Sequence, residues 1–320
     1  MGKMKGYFYA ALVAFVLSFI FCKLLIPLLR KMKAGQNILS YVKEHQKKGG
    51  TPTMGGLAFV TAAVISAAIF IKKADRTALL VLLIGVSYMI IGLLDDFLKK
   101  RHKQNLGLRA WQKMLFQALV ALFCGIYAVR AELTSLHIPF TNKSIEIGVW
   151  AFPLTFFLFL ATVNAVNLTD GLDGLAAGSC VPYFLCIGLL ILLQGGNKNI
   201  STVSFCLVGA LFAYLFFNVS PASVFMGDTG SLALGGFAAS IVAFTGNGLY
   251  LAVIGITFVL SVISVILQVI YYKVTKGKRI FLMSPIHHHF QQKGYSESKI
   301  AYAYSAITFL LGVLCIVTRI

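Results

Sequence analysis

Five of the ten acidic residues in this 320-residue chain, Asp95, Asp96, Asp170, Asp173 and Asp228, fall where long apolar stretches give way to short polar loops. A carboxylate beside hydrocarbon is costly unless it meets water, a cation or polar protein groups. Asp95 and Asp96 close an apolar run that continues to Lys99. Adjacent helix residues point about 100° apart, so one acid can take a metal or base role while the other orients a neighbour. A solvated helix end is the plainer alternative.

The run from Asn164 to Gly174 brings Asn164, Asn167, Asp170, Gly171, Asp173 and Gly174 to one boundary. The glycines permit turns or a close ligand approach, and the set suits a polar ligand or a metal, or else a capped turn. It lacks the spaced ligands of a calcium loop. From Asn218 to Ser231 lies a third polar run containing Phe225 and Asp228. Here Asp228 or Ser231 can cap a helix, or the loop can offer N–H groups to phosphate while Asp228 holds a divalent cation. Hard oxygen donors and a phosphate substrate favour Mg²⁺ over Zn²⁺.

Thr51-Pro52-Thr53-Met54-Gly55-Gly56 suits close helix packing, and Lys47 and Lys48 before it can meet a diphosphate or simply mark topology. His287, His288 and His289 are consecutive, so they cannot all converge on one metal from a regular helix. Phosphate contacts, with one histidine ordering another, fit better; a hydrated loop cluster is the alternative.

The elements that must position these residues are membrane spans. The chain is 58% hydrophobic and 12% charged, far from the balance of soluble domains. Ten apolar spans are predicted, at 7–29, 54–71, 78–94, 109–129, 150–168, 174–193, 201–217, 231–244, 249–272 and 300–318. The fold expected is therefore an all-α polytopic membrane protein forming a single domain, 1–320. Lys3 and Lys5 precede an apolar run too long for a signal peptide, so that run is read as a retained span.

The net charge of +18 comes from short basic clusters between spans, which argues against a nucleic-acid groove. With the N-terminus outside, the inward loops hold 17 Lys and Arg and the outward segments nine. That bias predicts N-out and C-out, with all five boundary acids inside. A small extracytoplasmic hairpin is expected within 130–149, and a short cytoplasmic helix carrying the histidines after Pro285. The six cysteines all fall in spans and are expected to be buried thiols.

The ordered set Thr51–Gly56, Asp95-Asp96 through Lys99, Asn164–Gly174, Met226–Ser231 and His287–Phe290 closely resembles the phospho-N-acetylmuramoyl-pentapeptide transferase family. The resemblance runs through nearly the whole chain. It implies a plasma-membrane enzyme of bacteria, its site facing the cytoplasm, which joins UDP-N-acetylmuramoyl-pentapeptide to undecaprenyl phosphate. UMP is released and the first lipid-linked peptidoglycan intermediate forms.

Mg²⁺, a homodimer and contact with membrane lipids are implied too. By the same resemblance Asp228 is the metal ligand, and Asp95, Asp96, Asp228 and His287 are the catalytic set, with Asp95 preferred for deprotonating the lipid phosphate. Lys48, Asn167, Asp170, Asp173, Asn218, Phe225 and His288 form the nucleotide or diphosphate site, with Phe225 stacked on uracil. Two departures stand out: Gln291 follows Phe290 where the family commonly has an acid, and Gly49-Gly50 precede Thr51. A transferase for another UDP-hexosamine is the nearest alternative. A transporter of anionic lipid or solute is the alternative from a different class.

Overall fold

A computed structural model describes residues 2–32, 50–72, 75–102 and 107–319. Helices α1 (Gly2–Lys31), α2 (Gly56–Phe70), α3 (Arg76–His102) and α4 (Ala110–Arg130) come first. A two-stranded antiparallel hairpin follows, β1 (Ser135–His137) with β2 (Ser144–Glu146), setting Leu136 opposite Ile145. After it come α5 (Ala151–Thr169), α6 (Leu175–Leu193), α7 (Lys198–Asn218), α8 (Gly227–Ala243), α9 (Gly248–Ile254), α10 (Ile256–Val274), α11 (Ile286–Gln292) and α12 (Glu297–Val317).

Among the described residues, eight helices are long and apolar enough to cross a membrane: α1, α3, α4, α5, α6, α7, α10 and α12. The protein is thus a helical, multi-pass membrane protein. Helix α2 is apolar but has only 15 residues, and α8 has 17. The stretch predicted as one span at 249–272 is divided at Gly255, where α9 ends and α10 begins.

The core is built around α8, which is buried from Thr229 to Val242. A helix without a polar face must be surrounded, and α8 packs against α2, α3 and α5. Small residues make this close: a Cβ on Gly56 of α2 would collide with the backbone of Gly230 of α8. Tyr88 of α3 lies over Gly236, and Phe237 of α8 lies over Gly85. Helix α1 runs along α7, tied by Ser18 Oγ donating to the Ala210 carbonyl at 2.8 Å, and α12 packs on α6. All six cysteines are free and buried.

The two ends of the bundle differ. At the start of α3, Asp75 Oδ1 accepts from the N–H groups of Thr77 and Ala78, both at 3.0 Å, and its Oδ2 accepts from Asn197 and Asn199. The hairpin sits at this end of the sequence pattern, held by His137 N–H to the Gly246 carbonyl at 2.8 Å and by Arg319 to Asn142 and Tyr250. About 20 residues along α3, roughly 30 Å at helical rise, lie Asp95 and Asp96.

Candidate active site

Asp95, Asp96 and Asp228 offer carboxylate oxygens that all lie within 4.8 Å of one another. Asp95 and Asp96 come from the last turns of α3 and Asp228 from the first turn of α8. What brings them together is the contact between the two helices: Gly92 of α3 faces the Asp228 peptide so closely that a Cβ would overlap its carbonyl. Gly92→Ala is therefore expected to push α8 off α3 and cost about 1–3 kcal/mol of stability, read as a lower unfolding midpoint in detergent. An unchanged midpoint would mean the two helices part without penalty.

The three acids have different partners. Asp228 Oδ2 receives Lys113 Nζ at 2.8 Å and Lys99 Nζ at 3.0 Å, and its Oδ1 receives Asn167 Nδ2 at 2.8 Å. Asn167 also donates to Ser231 Oγ at 2.8 Å and accepts from Lys113 Nζ at 3.2 Å. Asp95 Oδ2 lies 2.6 Å from Lys99 Nζ, and its Oδ1 accepts the Leu108 N–H at 2.7 Å. Among the described residues, two lysines thus offset three carboxylates, leaving one negative charge unbalanced.

Asp96, only 3% exposed, uses both oxygens on the start of α8. Its Oδ1 accepts the Asp228 N–H at 3.2 Å, while Oδ2 accepts the Thr229 N–H at 3.0 Å and the Thr229 hydroxyl at 2.6 Å. Met226, at the cap position of α8, supplies no side-chain bond. Asp96 therefore caps α8 from another helix, meeting orphan N–H groups with a negative charge.

The other loops gather around this centre. Thr51–Gly56 is paired along the loop before α8: Gly55 N–H to Phe225 O at 2.9 Å, Gly56 N–H to Met226 O at 3.1 Å and Phe225 N–H to Pro52 O at 2.8 Å. Phe225 is partly buried there. Asn218 accepts the Gly174 N–H at 3.2 Å and donates to the Val224 carbonyl at 2.9 Å; Asp173 Oδ2 accepts the Ala222 N–H at 3.0 Å. Both side chains thus order the loops after α5 and α7. Asp170 caps the end of α5, where burial and the nearby charges of Asp228, Asp96 and Asp173 hold its carboxyl well above the usual range.

Helix α11 is fastened to α10 by Ile286 N–H donating to Ser264 Oγ at 2.9 Å, and Gln268 binds the backbone of Ile280 and Phe281. His287 is 0% exposed, and neither ring nitrogen has a hydrogen-bond partner among the described residues. Burial, with His288 beside it, lowers its pKa to about 3, so the ring is uncharged at neutral pH. The Nε2 atoms of His287 and His288 both stand over Gly171, where a side chain would displace them. His289 turns away, its Nδ1 accepting the Leu282 N–H at 3.1 Å.

Of the residues singled out from sequence, Lys47, Lys48 and Gly49 lie outside the described residues. Two partners were not singled out there. Lys113 bears directly on Asp228, and its signal was a lysine inside an expected apolar span, a place where charge needs a partner. Glu297, at the first turn of α12, accepts the Asp173 N–H at 2.8 Å; nothing in its local sequence marks that contact.

Fold and site together define an integral-membrane transferase: the sequence profile of glycosyl transferase family 4 matches residues 78–246, more than half of the chain. Signature 1 of phospho-N-acetylmuramoyl-pentapeptide-transferase matches residues 48–60. A phospho-N-acetylmuramoyl-pentapeptide-transferase of Clostridium perfringens (strain 13 / Type A) is 46% identical over 302 residues, covering 93% of this chain and 94% of the relative. Those of Clostridium novyi (strain NT) and Clostridium kluyveri (strain NBRC 12016) are 44% and 42% identical, each across 95% of this chain and 94% and 96% of their own. The chain belongs to the phospho-N-acetylmuramoyl-pentapeptide transferase family.

Proposed function

We propose that this protein transfers phospho-N-acetylmuramoyl-pentapeptide from its UDP carrier to undecaprenyl phosphate, forming lipid I and releasing UMP. The observation that carries this reading, beside family membership, is Asp228 held by Lys99, Lys113 and Asn167 within reach of Asp95. An oxygen of the lipid phosphate attacks the β-phosphorus of the donor, and the bond from that phosphorus to the bridging oxygen breaks. The bridging oxygen leaves with UMP. Asp95 takes the proton of the lipid phosphate, while Lys99 and Lys113 offset the charge of the phosphates that would otherwise repel each other.

The cluster fits a hard cation: three carboxylates converge, and the two ammonium groups beside them leave one negative charge unbalanced among the described residues. Asp228 would hold Mg²⁺, which typically needs one or two carboxylates with water and phosphate oxygens. Bound there, the ion would neutralise and orient the diphosphate. Asn167, Asp170, Asp173, Asn218, Phe225, His287 and His288 surround the donor's nucleotide and sugar, and Phe225 stacks on uracil. The family resemblance assigns Lys48 to the diphosphate.

The chain forms one membrane domain, 1–320, with ten crossings when α2 and α8 are counted and α9 with α10 make one. The Lys and Arg bias supports N-out and C-out. The acidic end then faces the cytoplasm of a bacterial plasma membrane, and the hairpin faces outside. A homodimer is the expected assembly.

The test is UMP release by the purified protein with undecaprenyl phosphate and UDP-N-acetylmuramoyl-pentapeptide, with and without a chelator. Release that requires the lipid and returns with added Mg²⁺ is expected. Preference for a simpler UDP-hexosamine would change the donor, and movement of substrate without UMP would replace the reaction by transport.

A further inference from the structure

We propose that Glu297 and Gln291 are positioning residues that set the ring tautomer of His288, a refinement that rests on the transferase reading of this site. Gln291 Nε2 donates to Glu297 Oε1 at 3.3 Å, and Gln291 Oε1 lies 2.9 Å from His288 Nδ1. An ionised carboxylate can only accept, so the amide nitrogen of Gln291 must face Glu297. Its carbonyl oxygen then faces His288, and an amide oxygen can likewise only accept. Nδ1 must therefore carry the proton, and in the neutral ring the lone pair lies on Nε2. That atom stands over Gly171, 2.9 Å from where a Cβ would be, beside His287.

Glu297 has a second role in the same arrangement. Its Oε2 accepts the Asp173 N–H at 2.8 Å, so one carboxylate ties the first turn of α12 both to the loop after α5 and to α11. The His288 ring is thus fixed in orientation and in proton position relative to the loop that carries Asp170 and Gly171. Among the groups facing the ring are His287, 4.5 Å away between ring centres, the Gln291 amide and Gly171. Loss of one such hydrogen bond is expected to lower activity about three- to tenfold.

The experiment is ¹⁵N NMR of histidine-labelled full-length protein in lipid nanodiscs, with the His288 resonances assigned by their loss in His288→Gln. At a pH where the ring is neutral, protonated Nδ1 and bare Nε2 are expected. Glu297→Gln frees the Gln291 amide to reverse, so the opposite tautomer should appear, with kcat/KM for UMP release falling about three- to tenfold. A proton on Nε2 of the native protein would overturn the proposal. So would a fall in UMP release in Glu297→Gln with the tautomer unchanged, which would make Glu297 only a structural tie. Absence of UMP release by the native protein with every UDP-sugar would sink the transferase reading, while the native NMR result would still decide the tautomer.

Discussion

Asp228→Asn is expected to lower UMP release by about 10²- to 10³-fold, in the range seen when one preorganised electrostatic group is lost from an active site, while the protein stays folded. The substitution is nearly isosteric. It removes the negative charge that Lys99 and Lys113 share and that would hold a divalent cation. The start of α8 should survive, because its cap acts on the backbone N–H groups of residues 228 and 229 and comes from Asp96. Activity and unfolding should be measured on the same preparation. Native-like release from the variant would remove Asp228 from the ion and phosphate chemistry.

Asp96→Ala should have the largest effect on stability. It strands the Asp228 N–H, the Thr229 N–H and the Thr229 hydroxyl at a buried helix end. Each unsatisfied buried group costs about 1–3 kcal/mol, so a loss of about 3 kcal/mol or more is expected. Loss of the favourable charge at the helix N-terminus adds to it. Asp96→Asn keeps one accepting oxygen and should fall between the native protein and Asp96→Ala. Thermal unfolding in detergent reads this directly. Full stability with UMP release abolished would instead assign Asp96 to the chemistry itself.

Sequence and structure divide the account of this protein unevenly. Apolar runs near membrane length announced the helices, because hydrocarbon admits only a backbone whose polar groups are paired within the segment. The same reasoning marked Asp95, Asp96, Asp170, Asp173 and Asp228 as unusual, since acids at such boundaries require partners. The ordered motifs were sufficient for the family resemblance. Interruption at Gly255 was harder to read, since the apolar run passes through it unbroken and only the local backbone divides α9 from α10.

Partnership was decided by tertiary structure alone. Asp95 and Asp96 are equivalent in sequence, yet one binds Lys99 and the Leu108 N–H while the other caps a helix that starts 131 residues later, at Gly227. Lys113 reads as a stray charge until α4, packed on α5 and α3, brings its first turn up to Asp228. Glu297 reads as an ordinary first-turn acid until it meets Asp173 and Gln291. The physical reason is that composition along one helix determines burial in apolar surroundings, whereas the direction of a side chain about the helix axis acquires a partner only when a second helix packs there.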